Sequence, residues 1–168
     1  MAADTIFQID LALGYAAWAL CVATYVWPRL RRVDRAEAMR AIATLHSFRF
    51  FGLVFLLPGF VGPELPRAFA VPVAYGDFVT ALLAMSVLLT ARSRVLFWPL
   101  VWAFNVVGTA DLLMATGRAI GVNLPSVAGQ LGAAYAIPIL YAPLLLITHG
   151  VAFYLLLRPA GAPAHSAS

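Results

Sequence analysis

Five stretches of this chain are long and apolar enough to cross a bilayer as helices, and they limit the fold more than any other feature. A hydrocarbon core about 30 Å thick takes roughly 20 residues of helix. Inside it every backbone N–H and C=O must find a partner within the protein, which favours helices over open strands. The runs fall at 6–27, 42–60, 75–91, 95–116 and 136–157. Of the 168 residues, 63% are hydrophobic and 11% charged, where a soluble domain carries about 25% charged residues. Too few polar side chains remain to cover a water-facing surface, and disorder needs the opposite balance. The expectation is an all-α integral membrane protein, a five-transmembrane-helix bundle forming one polytopic domain over 1–158. A Pro/Ala/Ser-rich tail, 159–168, is expected to be disordered.

The basic residues orient such a bundle. All eleven are Arg. Arg29, Arg31, Arg32, Arg35 and Arg40 separate the first two runs, Arg92 and Arg94 separate the third and fourth, and Arg158 ends the fifth. If all five runs cross, these three places share one side, and the other side holds only Arg67 and Arg118. An excess of Arg marks the cytoplasmic side, so the N-terminus is expected outside and the C-terminus in the cytoplasm of a bacterial inner membrane. The opening Met-Ala-Ala-Asp lacks the basic stretch of a cleaved signal and reads as a short translocated tail. The outer connections, 59–76 and 117–134, are rich in Pro and Gly, and read either as plain links or as short interfacial helices capping the bundle.

Charge placement also bears on partners. The Arg residues crowd beside apolar runs instead of forming a soluble stripe, so nucleic acid is excluded and the lipid bilayer is the first partner. Ala12, Ala16, Ala19 and Ala23 form a small-residue stripe suited to close helix packing, within the chain or against a homo-oligomer or membrane-complex partner. The single Cys21 forms no internal disulfide. CxxC, HExxH, GxxxxGK[ST] and GxSxG patterns are absent, and no catalytic residue is assigned.

Ionisable groups at membrane depth are costly and point to function. At 1.5 Å per residue from the nearest cytoplasmic Arg, Arg49 and His149 each lie about 13 Å deep, Asn105 roughly 16 Å and His46 about 9 Å. Arg49, Asn105 and His149 thus share one level, with His46 just beneath and Asp111 farther along the fourth run. Arg49 leans toward the cytoplasm, so it reads either as a site residue or as a snorkelling member of the basic cluster. Asp111 reads either as a site residue or as a hydrogen-bonding contact to a neighbouring helix. Asp77, after Tyr75-Gly76, is expected to cap the start of the third helix.

Three functions fit these residues. The first is binding or transport of a small molecule or ion, with proton coupling, through Arg49, Asn105, Asp111 and His149. The second is a b-type haem protein with His46 and His149 as axial ligands from two helices. The third is a non-catalytic accessory subunit whose polar groups set helix register.

Overall fold

A computed structural model describes residues 2–158, and the expectations for the 159–168 tail lie outside the described residues. Among the described residues the chain is helical and contains no strand. Five helices are each long and apolar enough to cross a membrane: α1 (Ala3–Leu30), α2 (Arg35–Leu56), α3 (Arg67–Leu89), α4 (Arg94–Gly121) and α5 (Ile137–Leu157).

Helices α2 to α5 form a ring. Each packs on the next, and α5 closes back on α2. The buried stripes explain this: α4 buries Phe97, Val101, Phe104, Asn105, Gly108, Asp111 and Leu112, and α5 buries Leu145, Thr148, His149, Ala152 and Leu155. Steps of three and four residues place each set on one helix face.

Helix α3 begins ten residues before Asp77, which corrects the expected cap. Its N-terminal cap position is Pro66, and Pro72 lies inside it. An expected start at 75 treats Pro72 and Gly76 as breakers, yet both are helical. Asp77 instead belongs to the buried stripe Ala70, Ala74, Asp77, Ala81, Ala84.

Helix α1 stands outside the ring. Asp10, Gly14 and Trp18, at successive steps of four, face the start of α5. Tyr135 donates to Asp10 at 2.8 Å, and Trp18 Nε1 donates to the Leu140 carbonyl at 2.8 Å. Gly14 lets the α1 backbone lie against the carbonyl of Ile139, which has lost its helical donor to Pro143. The alanine stripe of α1 faces away from the rest of the chain.

The two ends of the bundle differ. At one end Arg35 donates to the Arg158 carbonyl at 2.5 Å, and Asp34 caps α2 by accepting from the Ala36 N–H at 3.0 Å. The Arg-rich linker therefore meets the chain's last described residue here. At the other end, residues Leu124–Tyr135 wind into 3-10 turns that pack on the loop after α2. Gly62 donates to the Gln130 carbonyl at 2.7 Å, and Gly132, at a φ of 53°, sits against the Phe60 carbonyl. Residues 124–135 are thus short 3-10 turns interrupted at Val127 and Gly132.

Candidate functional site

Two apolar clusters fill the bundle. One, near the 124–135 turns, includes Phe55, Phe69, Leu124 and Ile137. The other, near the Arg-rich end, includes Met39, Val87, Phe97 and Leu155. Between them lies a polar layer. Among the described residues, the buried polar and charged side chains number eight, two from each helix of the ring: His46 and Arg49, Asp77 and Thr80, Asn105 and Asp111, Thr148 and His149.

The local geometry of α2 supplies the first pair. From Phe48 to Leu56 this helix tightens to 3-10 winding, which has three residues per turn and stacks side chains at i and i+3. His46, Arg49, Gly52 and Phe55 thereby form one buried line. The neighbouring Phe48, Phe50 and Phe51 remain exposed.

Arg49 is the hub of the layer's first tier. Its Nε donates to Asp77 Oδ1 at 2.7 Å, Nη2 to Asp111 Oδ2 at 2.5 Å, and Nη1 to the Gly108 carbonyl at 3.3 Å. With 0% side-chain exposure, it does not snorkel, and that reading is overturned. Desolvating a guanidinium is expensive, and two carboxylates in contact supply the compensation.

The second tier is a histidine pair. His46 and His149 pack ring to ring, with centroids 4.1 Å apart and planes tilted by 52°, and Phe104 flanks both. Their tautomers follow from their partners. Asn105 Nδ2 donates to the Val101 carbonyl at 2.8 Å, which leaves Asn105 Oδ1 to accept from His149 Nδ1 at 2.9 Å. The Thr148 hydroxyl donates to the Leu144 and Leu145 carbonyls, so it accepts from His46 Nε2 at 2.9 Å. Each neutral ring then presents one bare nitrogen, His46 Nδ1 and His149 Nε2, and neither makes a hydrogen bond among the described residues.

Three glycines make the layer fit. A Cβ on Gly52 would collide with the Asp77 carboxyl, one on Gly76 with that of Asp111, and one on Gly108 with His149 Nε2 at 2.5 Å. Gly108 also joins the tiers, since its carbonyl receives Arg49 while its Cα faces His149.

All five residues singled out from sequence lie in the layer, but they are grouped differently. Arg49 joins Asp111, whereas Asn105 joins His149. Sequence reasoning misses Asp77, Thr80 and Thr148 as members of the site. The available signals are the alanine stripe through Asp77 and the i,i+3 series on α2. Axial ligation of haem b by His46 and His149 does not fit this arrangement. Axial imidazoles stand on opposite faces of a macrocycle, and rings in mutual contact leave no slot for one. Among the described residues, no group of three or more His, Cys, Asp or Glu could hold a metal ion.

No curated protein and no solved structure matches this chain. A family model described as a domain of unknown function, DUF8737, matches residues 6–157, a range that takes in the whole polar layer. The chain belongs to the DUF8737 family.

Proposed function

We propose that this chain is a single-domain polytopic membrane protein that binds and transports a small molecule or ion, with proton exchange, through the Asp77–Arg49–Asp111 triad and the adjoining His46–His149 pair. The observation that carries the reading is the burial of Arg49 between two carboxylates that border a cavity. A purely structural core gains little from such a triad, because well-packed apolar residues serve stability as well or better. Carboxylates and bare imidazole nitrogens in one layer are the materials of an intramembrane proton relay. The meeting of the Arg-rich linker and Arg158 at one end supports a bacterial inner-membrane topology with the N-terminus outside and the C-terminus in the cytoplasm. Five helices are few for a pathway, and the outward alanine stripe of α1 offers a contact for a second copy or a membrane-complex partner.

Proton movement can be tested whatever the substrate. Proteoliposomes on a solid-supported membrane are subjected to a pH jump, and the transient current is compared with that of protein-free liposomes. The expected result is a protein-dependent current that falls at least about tenfold in Asp111→Asn. A wild-type signal equal to that of empty liposomes sinks the transport reading.

A further inference from the structure

A cavity of about 440 Å³ lies between α1, α3, α4 and the start of α5, on the side of the polar layer facing the 124–135 turns. Its size suits an organic ligand. Phe7, Leu11, Phe69, Val73, Ile137 and Leu145 make its walls apolar, and Asp77 and Asp111 border it as acids. Those two side chains keep 8% and 10% of their exposure, whereas Arg49 keeps none.

The acids still have bonding capacity. Arg49 engages one oxygen of each, Asp77 Oδ1 and Asp111 Oδ2. Asp77 Oδ2 and Asp111 Oδ1 accept no hydrogen bond among the described residues; they rest against Gly52 and Gly76, where a Cβ would displace them. With both acids ionised, the triad sums to one guanidinium against two carboxylates, a net charge of minus one. Uncompensated charge away from water is costly, and a monocation in the cavity would offset it.

Other ligand classes fit less well. An anion in the cavity meets two carboxylates, with the guanidinium wholly covered behind them. A bare metal cation demands many oxygen ligands, and these walls offer mostly carbon. An organic ammonium brings its own N–H donors and an apolar body.

The route in follows from the packing of α1. Among the described residues it lies on α5 and the 124–135 turns and has no extended packing on α3 or α4, although both of these also wall the cavity. The seam between α1 and α4 is therefore the natural entrance, and in a bilayer it faces lipid.

Resting on the reading of the polar layer as a ligand site, we propose that the cavity takes a lipophilic monocation. It is an organic ammonium that enters sideways between α1 and α4, donates to Asp77 and Asp111, and lays its tail along the apolar walls.

The test compares three probes with one tail: octylammonium, octanol and octanoate. Each is titrated calorimetrically into wild-type protein in zwitterionic-lipid nanodiscs, and binding to empty discs is subtracted. Octylammonium is expected to bind at least about tenfold more tightly than the other two, a difference equal to one decade in Kd. Asp111→Asn should erase that preference, and Val73→Trp, which fills the cavity, should remove binding of all three tails. Equal affinities, preference for octanoate, or no protein-dependent binding in the wild-type chain overturns the proposal without recourse to any variant. Octylammonium binding in a protein that carries no pH-jump current would uphold this assignment while sinking the transport reading.

Discussion

Arg49→Met offers the sharpest test of the triad. The variant keeps an unbranched apolar side chain but removes the cation between Asp77 and Asp111. In the native arrangement the guanidinium makes both ion pairs with no side-chain exposure. At charge separations of about 4 Å and an effective dielectric near 20, each pair is worth about 4 kcal/mol of attraction, set against several kcal/mol of desolvation per ion. Removing Arg49 forfeits both attractions while leaving two carboxylates beside each other. Relaxation and proton uptake reduce the loss, and breaking a buried pair from one side costs about 3–5 kcal/mol. The triple variant Arg49→Met/Asp77→Asn/Asp111→Asn removes all three charges together and should recover more than half of that loss. Unfolding free energies from sodium dodecyl sulfate titration in mixed micelles, followed by circular dichroism, measure both quantities. A cost below about 1 kcal/mol for Arg49→Met, or a triple variant as unstable as the single one, refutes the reasoning.

Three further outcomes follow from geometry. Gly108→Ala places a Cβ 2.5 Å from His149 Nε2 and 2.8 Å from Thr80 Cγ2, so it should cost about 1–3 kcal/mol in the same titration. Gly117→Ala, on the same helix with nothing near its Cβ position, should be neutral or stabilising by up to about 1 kcal/mol. Protein purified from haem-supplied cells should lack a Soret band, because the His46 and His149 rings touch; a band lost in both His→Ala variants would contradict this. In a Cys21→Ser background, Val33→Cys and Arg92→Cys should be labelled by an impermeant maleimide from the cytoplasmic side and Glu64→Cys from the outside, and a split between positions 33 and 92 breaks the proposed topology.

Helix number, and which runs carry a polar residue, are legible in the sequence because apolar length and its interruptions are one-dimensional signals. Helix-to-helix pairing is not. Arg49 alone in an apolar run demands a counter-charge, yet nothing along the chain says whether Asp77 or Asp111 supplies it. The layer uses both. Asp77 is misplaced by sequence reasoning because Pro72 and Gly76 carry the signature of a helix start in a soluble chain. Here α3 runs through both, and Gly76 makes space for the Asp111 carboxyl. The same holds for Gly52 beside Asp77 and Gly108 beside His149. Each is a mid-helix glycine whose reason lies on another helix. The 3-10 winding of α2 is readable in principle, since His46, Arg49, Gly52 and Phe55 recur every third residue, a spacing that drifts around an α-helix but aligns in a tighter one.

The order of the two tiers has a consequence for mechanism. Asp77 and Asp111 border the cavity, whereas His46 and His149 lie behind them, packed against Phe104 of the apolar cluster at the Arg-rich end. A molecule in the cavity therefore reaches the carboxylates first and reaches the imidazoles only past Gly108. Binding and proton movement should then separate by mutation. His149→Ala removes the bare Nε2 and the bond to Asn105 but leaves all three Arg49 contacts in place. Octylammonium affinity should stay within about twofold of wild type, while the pH-jump current falls at least about tenfold, as expected when one station of a proton relay is lost. Loss of binding and current in equal measure would mean that the tiers act as one site. An unchanged current would remove His149 from the path and leave the carboxylates and His46 to carry it.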